Sequence, residues 1–259
     1  LGKKLKGLIP HAFLFVTFGF LYLPLLVLVA FSFNSRSFPS PWGNFTLKWY
    51  KELFSSSGVW ESFFNSFIVA STSTLLCTML TMFLLYLLLR YRTLGNWSTL
   101  FYGNLIIPET VLGVGLLSYF SLLNIPLGIP TIIIAHTVLG LGFSIPILFT
   151  RFFEIDHRIF EASRVLGASS TQTFFKVALP LIRPTFFATG LMIFIISFDD
   201  FVLTYFCSGT SAQTLSLFLV ASIRFGVSPV INAFASILLI LIILLASLFF
   251  SFKKEARLF

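Results

Sequence analysis

The chain has 259 residues, of which 17 are Lys or Arg and 9 are Asp or Glu, so that 10 % are charged and 57 % hydrophobic. An ordinary soluble domain carries about 25 % charged residues, and so few charges leave a water-facing surface of this size uncovered. A large soluble enzyme, a nucleic-acid-binding domain and a disordered chain are therefore disfavoured, and the net charge of +8 needs another explanation.

A bilayer core takes about 20 apolar residues in a helix, and stretches poor in charge supply six spans. The first is predicted over 10–33, with Pro24 as a kink. The second, 63–89, is rich in Ser66, Ser71, Thr72, Ser73, Thr74, Thr78 and Thr81, small hydroxyls that let helices pack closely in lipid. The charge-free run 110–150 is too long for one helix. Asn124, Pro126, Gly128 and Pro130 divide it into a third span, 98–123, and a fourth, 130–150. The fifth covers 185–207 and contains Asp199 and Asp200. The sixth covers 229–252, with Ser228 as N-cap and Pro229 at the first helical position. The apolar stretch 212–225 is too short to cross and reads as a surface or re-entrant helix. Cys77 and Cys207 lie far apart in apolar stretches, so no metal site is predicted.

Charge orients this single transmembrane domain, residues 1–259. With the N-terminus inside, inner segments hold 13 Lys and Arg, and outer loops hold 4: Arg36, Lys48, Lys51 and Arg224. The positive-inside rule then puts both termini in the cytoplasm, with lipid rather than nucleic acid as the partner of the basic balance. No internal repeat is evident, which argues against a secondary transporter built from duplicated halves. No HExxH, GxSxG or Walker A pattern occurs, so the chain is expected to be neither an enzyme nor its own ATPase.

One inner loop, 151–184, is amphipathic rather than merely polar. Glu161 to Leu166 suits a short helix with Gly167 as its left-handed cap. Ser169, Ser170 or Thr171 suits the N-cap of a second helix running to Leu179, with Pro180 and Pro184 at a turn into the fifth span. Glu161, Ala162, Ser163, Gly167, Val177, Leu179 and Pro180 follow the pattern EAA-x3-G-x9-I-x-LP, with Ser163 for Ala and Val177 for Ile. This pattern resembles the docking loop of permease subunits of ATP-binding-cassette (ABC) importers. The stretches FNSRSF, TLKWYKELF, IPETVLG, SFDDFVL and GVSPVINAFASILL are similar to the second permease subunit of spermidine/putrescine importers.

The resemblance implies an all-α polytopic membrane protein with the MetI-like fold of type I importers. It implies a location in the bacterial inner membrane and half of a polyamine pathway. It further implies three partners: a homologous second permease in a heterodimer, a cytoplasmic ATPase dimer that uses the ATP and magnesium, and an external polyamine-binding protein. No cofactor is expected on this chain. The same family with another small solute as cargo stays open, as does, more remotely, a stand-alone secondary transporter.

Three carboxylates fall inside spans, where ionisable groups are costly and a functional role is the default. Counting about 1.5 Å per residue from the inner face, Asp199 and Asp200 lie about 21 Å across and Glu109 about 18 Å. His136 lies about 9 Å below the outer face, at a similar level. A linear polyammonium needs carboxylates spaced along a cavity and aromatic faces for its methylene stems. Asp199, Asp200 and Glu109, with Tyr119 and Tyr205, are the candidate substrate-path residues. Neighbouring helical residues point about 100° apart, so one of the two aspartates is expected to be central. The alternative is structural: an aspartate caps a broken helix or meets a partner helix.

Overall fold

Where lipid replaces water, a backbone must satisfy its own polar groups, and helix is the local solution. A computed structural model of the chain describes residues 2–36, 40–91, 103, 106–225 and 228–255. Among these residues the structure is helical throughout, apart from loops and one isolated bridge between Asn34 and Phe45. The helices are α1 (Gly2–Phe31), α2 (Lys48–Ser55), α3 (Ser57–Tyr91), α4 (Glu109–Leu122) and α5 (Ile129–Phe153). They continue with α6 (His157–Val165), α7 (Ser170–Asp199), α8 (Val202–Cys207), α9 (Leu215–Phe225) and α10 (Pro229–Glu255).

The chain divides into two units. One comprises Leu1–Val59 and Leu219–Phe259. Here α10 packs on α1 and α2. The turn after α1 is held by its own polar groups. Asn34 Oδ1 accepts from the Gly43 amide at 2.7 Å, Trp49 Nε1 donates to the Asn34 carbonyl at 2.7 Å, and Ser32 meets the Tyr50 hydroxyl at 2.8 Å. Phe33 stacks on Phe45 over the same turn.

The second unit, Trp60–Phe218, contains the functional candidates. Its centre is α5, against which α7 packs. The hydroxyls of α3 explain how the helices approach. Ser73, Cys77 and Thr81 recur every four residues and so share one face. Ser73 meets Ser197 at 3.0 Å, Cys77 donates to the Thr137 carbonyl at 3.1 Å, and Thr81 meets Ser144 at 2.8 Å. Gly140 of α5 makes this possible, because a Cβ there would sit 2.6 Å from Cys77 Sγ and 3.0 Å from Ile193 Cγ2. Two apolar clusters complete the unit. One is centred on Leu85, Ile145, Leu148 and Ile182, the other on Phe120, Ile132, Ala135 and Leu203.

Four described helical stretches are long and apolar enough to cross a membrane: Phe13–Phe31, Ser57–Tyr91, Ile129–Phe153 and Ser170–Asp199. The expected third span begins in residues outside those described, and its described helix is α4, of 14 residues. The sixth corresponds to α10, where Ser228 Oγ accepts from the Val230 amide as an N-cap does. The predicted surface or re-entrant segment forms the short helix α9.

Three boundaries differ from the sequence reading. The second span starts at Ser57, because nothing between Ser57 and residue 63 interrupts the helix. The fifth does not run to 207. It stops at Asp199, and Asp200 turns extended (ψ 127°) to cap α8. Pro180 and Pro184 do not make a turn but lie inside α7. Proline has no N–H to give the preceding turn. A wide π-type turn over Phe174–Ala178, closed by the Leu179 amide on the Phe174 carbonyl, absorbs the mismatch just before Pro180.

Candidate functional site

The loop 151–184 folds as two helices clamped on the ends of α3 and α5. Asp156 caps α6, its Oδ1 accepting from the Arg158 amide at 2.9 Å. The helix therefore begins four residues earlier than the sequence suggested. It ends in a Schellman turn: Gly167 stands at φ +84°, its amide donates to Arg164, and the Ala168 amide donates to Ser163. Nothing lies within 4 Å of a Cβ built on Gly167, so backbone handedness rather than space selects glycine. Ser169 caps the start of α7, and Gln172 reaches back to its amide, completing a capping box.

Each motif residue has a place in this geometry. Ser163, the departure from alanine, bonds the Phe160 carbonyl and meets Thr173 Oγ1 at 2.7 Å, tying α6 to α7. Val177 and Leu179 pack against the Leu85–Ile182 cluster, while Ala162 and Pro180 are exposed. Glu161 is exposed and lies 3.7 Å from His157. Arg164 donates to the Leu89 carbonyl at 2.9 Å and so holds α6 on the end of α3. Phe160 stacks on Phe152 of α5 at 5.3 Å. At the tip, Val165 and Leu166 are 86 % and 87 % exposed. A rigidly held apolar tip is the form of a docking surface.

At the other end of α7 a buried polar cluster joins five helices. Nδ1 of His136, on α5, meets Ser197 Oγ at 2.7 Å. Nε2 meets Asp200 Oδ2 and Thr204 Oγ1, each at 3.1 Å. Asp200 also receives the Thr204 amide at 2.9 Å and a longer contact from the Leu203 amide at 3.4 Å. Ser216 of α9 donates to the Asp200 carbonyl at 2.6 Å, and Ser73 of α3 extends the chain beyond Ser197. Glu109, at the first turn of α4, lies close enough to interact electrostatically with both Asp200 and His136.

The structure thus gathers Asp200, His136 and Glu109 and separates them from Asp199. Asp200 is buried, whereas Asp199 and Glu109 are exposed. Stacked Phe194 and Phe198 lie on the same helix as Asp199. Tyr119 and Tyr205 are 56 % and 59 % exposed, and Tyr205 leans on Phe201 and Phe206. Sequence reasoning missed Ser197, Thr204 and Ser216, and read Ser73 only as a packing hydroxyl. The spacing of Ser197, Asp200 and Thr204, three then four residues, was the available signal. It also missed Arg164, which occupies a free position of the motif.

Comparison with known proteins follows the same lines. Residues 56–254 match the family model described as "Binding-protein-dependent transport system inner membrane component". The chain is 33 % identical over 233 residues to the spermidine/putrescine transport system permease protein PotC of Haemophilus influenzae, covering 89 % of this chain and 91 % of that protein. It is 32 % identical over 243 residues to PotC of Escherichia coli K12, covering 93 % and 90 %. It is 32 % identical over 235 residues to the putrescine transport system permease protein PotI of the same organism, covering 87 % and 84 %. Among solved structures, an inward-facing MetNI methionine ABC transporter aligns with TM-score 0.55 at 21 % identity, over 82 % of this chain and 98 % of that one. That likeness shows the fold: all-α, polytopic, of the type I importer permease kind.

Proposed function

The chain belongs to the family of binding-protein-dependent transport system inner membrane components, and from that premise we propose that it forms half of the pathway by which spermidine or putrescine enters the cell. It is a multi-pass inner-membrane transport subunit, not an enzyme. One observation carries the cargo: a third of the residues are identical, across about nine-tenths of the chain, to permeases named for spermidine and putrescine. The carboxylates agree with it, because in-span Asp199, Asp200 and Glu109 suit a polycation and repel an anion.

The mechanism follows from α7. Its 30 residues span about 45 Å and join the loop to the carboxylates in one element. The partners are a second, similar permease, an ATPase dimer and an external binding protein. The ATPase receives the Val165–Leu166 tip and uses ATP and magnesium, while this chain holds no cofactor. Closure of the ATPase moves the loop, and α7 carries that movement to the break at Asp200. Work is done because the ATPase and the cargo each bind one state of the pathway better than the other. With six spans, both termini and loop 151–184 lie on the cytoplasmic side, a reading that the 13-to-4 split of Lys and Arg supports.

Purification with the natural ATPase, second permease and binding protein tests the cargo. Spermidine or putrescine is expected to stimulate ATP hydrolysis; stimulation by a different solute class alone overturns the reading. Asp199→Asn, Asp200→Asn and Glu109→Gln, each in an assembled complex, are expected to change polyamine uptake. Wild-type affinity and rate in all three would remove these groups from the path.

A further inference from the structure

Between α3 and α7, at the end nearer loop 151–184, lies a groove of about 700 Å³. Its walls come from Met79, Met82 and Phe83 on α3 and from Phe175, Phe186 and Phe187 on α7. Met79, Phe83, Phe175 and Phe187 are exposed, so the groove opens away from the buried polar cluster. Along α3 the lining runs from Leu75 to Tyr86. That is about 16 Å of helix, and half of a bilayer core is about 15 Å.

Into this apolar wall the fold places charge of one sign. Arg183 lines the groove, its guanidinium 5.6 Å from the centre of the Phe187 ring. At the loop end, the hydroxyl of Tyr86 accepts from Arg90 Nη1 at 3.4 Å and meets Thr171 Oγ1 at 3.2 Å. Exposed Lys176 lies on the π-type turn that adjoins them. No carboxylate lines the groove, and among the described residues neither arginine has a carboxylate partner. Arg151, by contrast, pairs with Glu154 at 2.8 Å.

The chemistry of the walls separates the occupants. A polyamine is repelled by Arg183. A helix of the second permease packs best on small residues, and among the lining residues only Thr78 is small. A flexible hydrocarbon chain suits walls of Phe and Met, because Met adapts to an irregular shape. An anionic headgroup supplies the negative charge that the arginines lack, and basic pockets between membrane helices are lipid-headgroup sites.

We propose that this groove seats an anionic phospholipid from the leaflet nearer loop 151–184, with one acyl chain between α3 and α7 and the phosphate drawn to Arg183 and Arg90. The site goes beyond the transport reading and is independent of the cargo. It also gives the π-type turn a role, since Phe174 and Phe175 of that turn both line the groove. A lipid held there braces α7 against α3 directly behind the docking loop.

The test uses the full complex in phosphatidylcholine nanodiscs. Two trace probes are compared, phosphatidylglycerol and phosphatidylcholine, each with a photoreactive group midway along one acyl chain. Cross-links are expected within residues 75–86 and 174–187, with phosphatidylglycerol the stronger label. Each of Arg183→Gln and Arg90→Gln is expected to cut that preference about fivefold, and Arg183→Lys is expected to retain it. Met82→Trp fills the groove and is expected to reduce labelling by both probes. Should that variant fail to assemble, the arginine variants still decide, because both side chains are exposed. Equal labelling by the two probes overturns the proposal, as does a preference unchanged in both glutamine variants. Absence of cross-links from the groove in the full complex overturns it too, and is the result expected if the second permease covers this face.

Discussion

The two ends of α7 solve different problems with different means. The loop end presents an exposed tip whose form is set by backbone: a capped helix, a left-handed glycine, a second capped helix. The Asp200 end hides its polar groups, and their arrangement is set by side chains from five helices. The first depends on shape and tolerates changes of surface chemistry. The second depends on each buried polar group finding its partner and tolerates little. A docking surface can be read from contiguous residues, whereas a buried polar site exists only once the helices have met.

Mutations that act on one end and spare the other sharpen this contrast. The largest effect is expected from Asp200→Ala, which leaves His136 Nε2 and the Thr204 amide buried without the carboxylate they meet. Each buried hydrogen-bond partner left unsatisfied costs about 1–3 kcal/mol, so both the melting temperature of the complex and polyamine uptake should fall steeply. Binding of the ATPase in a pull-down should persist if the two ends are separable. Next comes Gly167→Val. A left-handed backbone costs a non-glycine residue about 1–2 kcal/mol, worth about tenfold in a docking equilibrium. Uptake per ATP hydrolysed should drop with the KM for cargo unchanged, and a shifted KM would break the contrast.

Gly140→Ala tests the packing between the ends. Its Cβ would crowd Cys77 Sγ, and overpacking of this kind costs about 1–3 kcal/mol, read as a lower melting temperature. Adding Cys77→Ala should recover part of the loss, since Ile193 stays 3.0 Å away. The smallest effect is expected from Ser163→Ala. It removes the Thr173 bond, worth about 0.5–1.5 kcal/mol, and restores the alanine of the motif. A slight fall in melting temperature with near-normal uptake is the expected result.

Legibility in the sequence follows the same division. Glu161, Gly167 and Pro180 were readable because a fixed spacing along one chain defines the loop. The left-handed Gly167 was readable for the same reason. Pro180 and Pro184 misled, because a π-type turn can carry a helix past proline and leaves no mark in composition. The break after Asp199 was invisible for the opposite reason: neither glycine nor proline stands between Phe198 and Phe201, and the carboxylate of Asp200 itself makes the cap. Depth along the helices brought Asp200, Glu109 and His136 to one level. Which hydroxyls would join them depended on Ser73 and Ser197 meeting across 124 residues of sequence.

The open space around Gly167 has one more consequence, and it concerns chirality. An L-alanine there has room for its methyl group but the wrong hand for a φ of +84°. A D-alanine has the same methyl and the right hand. Installed by semisynthesis, the mirror-image residue should hold the loop at least as firmly as glycine, because it removes unfolded conformations that glycine samples freely. The exposed tip of the loop would then tolerate an added side chain of one enantiomer and refuse the other.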